Sequence, residues 1–254
     1  MPGGSDSILR TLEALGFAWD GAILYQSRRL EYYDAALQKL RAAGLVYECS
    51  CTRRDLGATD DSGGYPGTCR QGPTRPGPTA LRFRADLAPM DPIVDALQGP
   101  IAPERLAQGD PIVRRRDGLH AYQLAVVVDD AASGVTDVVR GADLLPSCRW
   151  QRALQSALQL PAVTYAHVPL VTEAGGGKLS KSAHAFAAPM PKAGGRSSDT
   201  AASTLHRVLT LLRQNPPGAL STEPVGLQWD WAMANWRPDR LHGLERLEVT
   251  ERED

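Results

Sequence analysis

The stretch Gly134-Val135-Thr136-Asp137-Val138-Val139-Arg140-Gly141-Ala142-Asp143-Leu144-Leu145 predicts a buried strand that ends at Arg140-Gly141. We predict a helix over residues 147–158 after it, and a further strand over residues 165–171. A second apolar run, Tyr-Gln-Leu-Ala-Val-Val-Val-Asp-Asp at 122–130, is typical of an interior strand of a parallel sheet, which is buried on both faces. The strand–helix–strand order predicts an α/β fold.

Arg140 stands at the carboxyl end of a predicted strand, where open α/β sheets bind their ligands. Its planar guanidinium matches a carboxylate in a two-pronged hydrogen-bonded pair. Arg140 is therefore a candidate for binding a carboxylate ligand. A structural ion pair with Asp137 or Asp143 is the alternative.

Residues 175–182 read Gly-Gly-Gly-Lys-Leu-Ser-Lys-Ser. Glycines let the backbone approach a ligand closely, and the two lysines could neutralise a polyphosphate. The run is not a P-loop, because Leu179 stands where that motif requires Ser or Thr after Gly177-Lys178. A flexible, solvated loop is the alternative interpretation.

Three of the four cysteines cluster around a Gly/Asp-rich turn, as Cys49, Cys51 and Cys69. This usage is unlike that of a disulfide scaffold and favours a metal site, since zinc prefers thiolates and takes about four tetrahedral ligands. From the residues alone, the fourth ligand is open between Tyr65, Asp60, Asp61 and water. Buried or unused thiols are the alternative.

Composition bounds the class of protein. A chain of 254 residues with 43% hydrophobic and 22% charged residues is typical of one large or two modest globular domains. The net charge of −1 excludes a globally basic nucleic-acid binder, although the arginines at 114–116 could contact RNA phosphates rather than simply end a strand in solvent. With no long apolar run and no signal-like start, we expect a soluble, cytoplasmic protein that does not contact membranes.

Helical and strand patterns fill the rest of the chain. Apolar spacing predicts a helix that ends at Gly16 and a second helix over 27–43. Two later helices are predicted, one carrying Leu205 and the other carrying the tryptophans 229, 231 and 236. We expect these three tryptophans to lie in the core. Strands are predicted at 45–47, 80–83 and 112–113, a hairpin turn at Asp117-Gly118, and a charged tail at 245–254.

The motifs in this order resemble one known family. They are Cys-x-Cys…Tyr-x-x-x-Cys, Arg-Arg-Asp-Gly-Leu-x-Ala-Tyr-x-Leu-Ala-Val-Val-Val-Asp-Asp, Gly-Val-Thr-x-Val-Val-Arg-Gly-Ala-Asp-Leu, and His-x-Pro-Leu…Lys-Leu-Ser-Lys. From about residue 7 to about residue 236 the chain resembles the glutamyl-Q tRNA(Asp) synthetases, relatives of the catalytic domain of class I glutamyl-tRNA synthetases. The resemblance implies a monomer that activates L-glutamate with ATP and transfers it to the queuosine base of tRNA(Asp).

The resemblance also implies site residues. Lys181 and Lys178 would be catalytic, and the ATP-binding loop would comprise Lys178, Leu179, Ser180, Lys181 and Ser182. Tyr122 and Arg140 fall on glutamate-binding positions. One structural Zn2+ would be held by Cys49, Cys51, Tyr65 and Cys69, and Mg2+ would accompany ATP.

The implied architecture is a Rossmann-like catalytic domain over residues 1–48 and 105–200. A zinc-binding, tRNA-contacting subdomain would be inserted at 49–104, and a helical extension without an anticodon-binding domain would occupy 201–254.

One departure from the family pattern concerns its first part. The Arg-x-Ala-Pro-Ser-Pro-x-Gly stretch and the HIGH-type motif are not in this sequence. We therefore expect an N-terminally truncated catalytic domain, hypothesise that the start was assigned at an internal Met1, and expect little glutamate-dependent ATP–pyrophosphate exchange. A fragment of an ordinary glutamyl-tRNA synthetase and a non-catalytic zinc- and RNA-binding remnant are the alternatives.

Overall fold

The computed structural model describes residues 4–56, 64–88, 92–173 and 197–249. The chain divides into two compact units, one formed by Ile23–His167 and the other by Met1–Ala22 together with Val168–Asp254. The helices are α1 Gly4–Ala14, α2 Leu30–Ala42, α3 Arg53–Leu56, α4 Tyr122–Ala132, α5 Cys148–Leu158, α6 Ser197–Leu211 and α7 Val225–Asn235. The strands are β1 Val46–Cys49, β2 Ala80–Phe83, β3 Val94–Asp95, β4 Gly99–Pro100, β5 Ile112–Arg114, β6 Asp137–Gly141, β7 Thr164–Val168, β8 Leu170–Glu173 and β9 Arg246–Val249.

Helix α2 buries the apolar stripe that its sequence predicts. Tyr33, Ala36, Leu37 and Leu40 are buried in the main core of the Ile23–His167 unit, whereas Leu30, at the start of the helix, is exposed. The helix stops before Gly44, whose φ of +69° is a conformation that glycine adopts without steric cost. This core also takes side chains from α4, α5, β2 and β5.

Residues 122–130 form helix α4, so the predicted interior strand is wrong. The helix buries Leu124, Ala125 and Val127, and leaves Val126 and Val128 only partly buried against the same core. An apolar run of this length suits a buried helix as well as a buried strand. Because nearly every position is apolar, the helical period of 3.6 residues cannot be distinguished from the strand period of two.

Two small sheets accompany these helices. The first has the order β1-β2-β5 and is antiparallel, with Cys49 opposite Ala80. The second has the order β4-β3-β7-β6, in which β3 and β7 are parallel. The α/β class is confirmed, but one sheet is antiparallel and the other is mixed, so neither is wholly parallel.

Strand β6 forms as predicted but is not buried. It lies at an edge of its sheet, and the side chain of Val139 is 69% exposed. A Val-rich strand is typical of a sheet interior that is covered on both faces, whereas here the face that carries Val139 is exposed. Arg140, near the end of the strand, is half-buried.

The other unit combines helices with one strand pair. Leu205, Leu209 and Ala232 form its small core, against which Trp229 and Trp231 pack, while Trp236 follows α7 and is 40% exposed. The indole of Trp229 donates a hydrogen bond to the carbonyl of Leu15 at 2.8 Å. The core role is thus confirmed for two of the three tryptophans.

The predicted charged tail is wrong for residues 246–249, which form β9 parallel to β8. The prediction of one strand over 165–171 is also wrong, because Pro169 separates β7 from β8. Proline cannot donate a ladder hydrogen bond, which accounts for the break. None of the helices in the described ranges is long and apolar enough to cross a membrane. The three-part domain division inferred from the sequence stays a prediction.

Candidate metal centre and neighbouring cleft

Three cysteine side chains meet where β1 ends. Cys49 is the last residue of β1, Cys51 follows after one residue, and Cys69 comes from the turn after Tyr65. Their Sγ atoms all lie within 4.8 Å of one another, and all three are free thiols rather than disulfides. The sequence prediction that these residues converge is confirmed.

Tyr65 supplies a fourth donor at the same point. Its hydroxyl oxygen lies 3.3 Å from Cys49 Sγ and 3.7 Å from Cys51 Sγ, and it accepts a hydrogen bond from the backbone N–H of Cys69 at 2.9 Å. Cys51 Sγ and Cys69 Sγ are 3.5 Å apart. A tetrahedral zinc with Zn–S bonds of about 2.3 Å places its sulfur ligands roughly 3.8 Å from each other. The donor set therefore fits zinc in both chemistry and spacing.

Burial shapes the protonation of this cluster. Burial raises the pKa of the Tyr65 phenol well above its ordinary value, and the neighbouring cysteines raise it further. Burial also opposes ionisation of Cys69, but hydrogen bonds from Tyr65 and from nearby backbone N–H groups outweigh it and lower the pKa of this thiol to about 5. The lowered pKa of Cys69 favours its thiolate form, which is the form that binds metals. Asp60 and Asp61, the other ligands considered, lie outside the described residues.

The chain beside the cluster is tightly packed. Gly109 has a φ of +74°, and a Cβ at this position would lie 2.5 Å from the carbonyl oxygen of Tyr65. The next residue, Asp110, is buried, and its carboxylate accepts hydrogen bonds from Tyr47 at 2.7 Å and from Arg70 at 2.7 Å and 3.0 Å. At position 109, only glycine permits the close approach to the Tyr65 carbonyl oxygen, and this packing helps to fix Tyr65.

A cleft of about 750 Å3 opens next to the cluster. Its volume lies in the range of small-molecule sites, which is roughly 300–1,000 Å3. Polar and aromatic side chains dominate the lining, among them Cys49, Cys51, Tyr65, Arg82, Arg115, Arg116, Tyr122, Gln123 and Trp150. The structure thus brings Cys49, Cys51 and Tyr65 of the candidate metal centre to one cleft with Tyr122.

The predicted run of arginines is largely occupied by local contacts. Arg114 donates to the carbonyl of Gly118, Arg115 pairs with Asp117, and Arg116 donates to the carbonyls of Ser50 and Cys51. The turn at Asp117-Gly118 is confirmed, with Gly118 at a φ of +84°. A contact of these arginines with RNA stays a prediction.

Tyr122 and Arg140 are placed differently. Tyr122 begins α4, is 47% exposed and lines the cleft. Arg140 is not among the described residues that line it. Its guanidinium instead donates to His167 Nε2 at 3.0 Å, to the carbonyl of Leu144 and to Cys148 Sγ. The partner of Arg140 is therefore a histidine, rather than either of the two aspartates considered from the sequence.

A buried Asp95–His167 pair supports Arg140, and sequence reasoning missed it. His167 Nδ1 lies 2.6 Å from Asp95 Oδ2, and Asp95 Oδ1 accepts from the backbone N–H groups of Leu97, Gln98 and His167. Because Nε2 of His167 accepts a hydrogen bond from Arg140, the ring hydrogen is on Nδ1, which donates a hydrogen bond to Asp95. Asp95 lies in a proline-rich stretch with no periodic pattern, so nothing in the sequence indicated this contact.

The predicted ATP-binding loop falls in a part of the chain that the structure does not describe. Lys178, Leu179, Ser180, Lys181 and Ser182 all lie between residues 174 and 196. Their catalytic and nucleotide-binding roles stay predictions.

Known proteins resemble the chain in both sequence and fold. Residues 1–190 match the family model "tRNA synthetases class I (E and Q), catalytic domain". A glutamyl-Q tRNA(Asp) synthetase of Aromatoleum aromaticum is 46% identical over 93% of this chain and 74% of its own length. One of Geobacter sulfurreducens is 45% identical over 95% of this chain and 78% of its own length.

A solved structure extends the likeness to the fold. The glutamate-tRNA synthetase of Elizabethkingia anophelis is 20% identical and superposes with a TM-score of 0.71. The match covers 99% of this chain but 59% of the length of that enzyme. By its matched family model and its curated relatives, the chain belongs to the glutamyl-Q tRNA(Asp) synthetase family, a ligase family within the class I tRNA synthetases.

Proposed function

We propose that the chain serves ATP-dependent activation of L-glutamate as glutamyl-adenylate, followed by transfer of glutamate to the queuosine base at the wobble position of tRNA(Asp). The observation that carries this proposal is the identity of 46% over 93% of the chain with a relative named glutamyl-Q tRNA(Asp) synthetase. That identity extends over most of this chain and over 74% of the relative's own length.

In the first step, a carboxylate oxygen of glutamate attacks the α-phosphorus of ATP, and pyrophosphate leaves. Catalysis of this kind consists mostly of positioning and charge stabilisation. Arg140 would hold a substrate carboxylate, since its guanidinium is fixed by His167 and by the carbonyl of Leu144. Tyr122 would contact glutamate from the cleft wall.

The loop at 178–182 would bind ATP, with Lys181 and Lys178 neutralising negative charge that develops on the phosphates. Mg2+ bound with ATP supplies further charge neutralisation when present. The cluster of Cys49, Cys51, Cys69 and Tyr65 would hold one zinc ion, which cross-links β1 to the turn at Cys69. A zinc ion held by these four donors would be structural, because tetrahedral zinc sites closed by four protein ligands serve structure rather than catalysis.

A transfer assay tests the proposal. The purified chain and the Aromatoleum aromaticum relative, as the positive control, are incubated with ATP and radiolabelled glutamate. Three acceptors are compared: tRNA(Asp) with queuosine, tRNA(Asp) with guanine at the wobble position, and tRNA(Glu).

Label appearing only on the queuosine-containing tRNA supports the proposal. Label on tRNA(Glu) would instead support an ordinary glutamyl-tRNA synthetase activity. Binding of tRNA(Asp) without transfer, under conditions in which the relative is active, would favour the non-catalytic alternative.

A further inference from the structure

Arg82 contacts the candidate metal centre through two of its proposed ligands. It lies on β2 and is 6% exposed. Its Nε donates a hydrogen bond to Cys49 Sγ at 3.3 Å, and its Nη1 donates to the carbonyl of Asp110 at 2.6 Å. Its guanidinium carbon lies 3.7 Å from the centre of the Tyr65 ring. One side chain thus contacts two of the four proposed ligands.

Among the residues that the structure describes, no carboxylate pairs with the guanidinium of Arg82. In the described ranges, none comes within ion-pairing distance of its guanidinium, and the nearby Asp110 carboxylate is already bonded to Arg70 and Tyr47. A buried cation without a counter-ion is costly. The sulfur of Cys49 is the group beside Arg82 that becomes an anion when it binds a metal.

The candidate metal centre would carry a net charge opposite in sign to that of Arg82. Three thiolates around a divalent zinc leave an excess of one negative charge even if Tyr65 stays neutral. The guanidinium of Arg82 offsets this excess at hydrogen-bonding distance from one of the sulfurs. Outer partners of this kind orient metal ligands and tune their affinity.

We propose that Arg82 is the positioning residue and counter-ion of the metal centre. Its N–H group fixes the sulfur of Cys49, and its stacked plane fixes the ring of Tyr65, so that both donors face the same point. The inference rests on the metal site of the proposed function and adds a residue that is not itself a ligand.

Zinc titration of the full chain tests this role. The chain is stripped of metal, and its zinc dissociation constant is measured against a competing chelator. Arg82→Met is expected to raise that constant by about 10- to 100-fold. Co2+ serves as a spectroscopic probe, because the thiolate-to-cobalt absorption reports the environment of the sulfurs.

Two further variants separate positioning from stability. Arg84→Met is the matched control, since Arg84 follows on the same chain segment and pairs with Asp86 away from the cysteines. It is expected to bind zinc as the wild type does. Arg82→Lys retains the positive charge, and therefore the fold, but lacks the planar guanidinium. We expect this variant to bind zinc more weakly than the wild type, and its cobalt absorption to be shifted.

Wild-type zinc affinity and an unchanged cobalt spectrum in folded Arg82→Met or Arg82→Lys would overturn the role of Arg82. A wild-type chain that binds no zinc would overturn the metal centre itself, and this proposal with it. Far-UV circular dichroism of each metal-free variant verifies that the comparison is made between folded proteins.

Discussion

His167 Nε2 accepts a hydrogen bond from Arg140 Nε at 3.0 Å, while the other nitrogen of the same ring is bonded to the buried carboxylate of Asp95. The three residues come from β6, β7 and β3, which are neighbours in one sheet. The arrangement fixes the tautomer of His167 and the plane of the Arg140 guanidinium. A substrate carboxylate would thus meet an arginine that is already oriented.

Asp95 provides a pH-dependent contribution to stability. Burial alone would raise the pKa of its carboxyl, but hydrogen bonds from His167 and from the backbone N–H groups of Gln98, His167 and Leu97 outweigh burial and lower it to about 2. Since the folded pKa lies below the unfolded value of about 4, the contribution is present above about pH 4 and is lost as the pH falls towards 2.

We expect Asp95→Asn to lower the free energy of unfolding by about 2 kcal/mol at pH 7. The difference from the wild type should shrink as the pH falls from about 4 to about 2. Urea unfolding at pH 7 and pH 3 measures both effects, with exposed Asp20→Asn as the control. A constant difference between the two pH values would contradict the assigned role of the carboxylate.

Arg140→Lys should weaken glutamate binding by about tenfold or more, although the charge is retained. Lysine cannot bond His167, Leu144 and a carboxylate with one planar group. Calorimetric titration of glutamate measures the effect, and Arg41→Lys, at an exposed position of α2, should leave affinity unchanged. Equal affinity in Arg140→Lys and the wild type would mean that another residue binds the substrate carboxylate.

Tyr65→Phe should reduce zinc affinity by about tenfold and change the cobalt absorption, because one of four donors is removed. Tyr47→Phe is the control. It removes a hydroxyl that bonds Asp110, and should cost about 1 kcal/mol of stability while leaving zinc binding intact. If both variants bind zinc equally well, the fourth ligand is not Tyr65.

Gly109→Ala and Gly99→Ala separate steric overlap from backbone strain. Both glycines have positive φ, +74° and +72°, but an added Cβ meets the Tyr65 carbonyl oxygen at 2.5 Å only at position 109, and at 99 it meets open space. We expect Gly99→Ala to cost about 1 kcal/mol, and Gly109→Ala to cost about 1–3 kcal/mol more. Urea unfolding measures the free energy of unfolding of both variants. Similar losses would show that the backbone near Tyr65 moves to accommodate the added Cβ at little cost.

Local sequence chemistry predicted the elements whose signals are short-range. Gly44 marks the end of α2, and Asp117-Gly118 marks the turn after β5. Apolar residues at helical spacing mark α2, and the short apolar run at 80–83 marks β2. The cysteine cluster was also predictable, because its three thiols lie within 21 residues of one another in the sequence and can meet with few constraints from the rest of the chain.

Sequence-based prediction failed where an apolar run had no clear period, or where a residue contacts a partner that is distant in the sequence. The run at 122–130 is apolar at nearly every position, so only its packing against α2 and α5 decides that it is a helix. Strand β6 has the composition of an interior strand, yet it lies at an edge of its sheet and Val139 is exposed.

The sequence by itself indicated the family, the three clustered cysteines as candidate metal ligands and Arg140 as a candidate for the substrate carboxylate, since residue types in a fixed order carry that information. Only the tertiary structure decided how Arg140 is held, because Asp95 lies 72 residues from His167 and meets it through the pairing of β3 with β7. It likewise decided that Arg82 faces Cys49 and Tyr65. Contacts between distant segments depend on how strands pair and helices pack, and no local pattern encodes them.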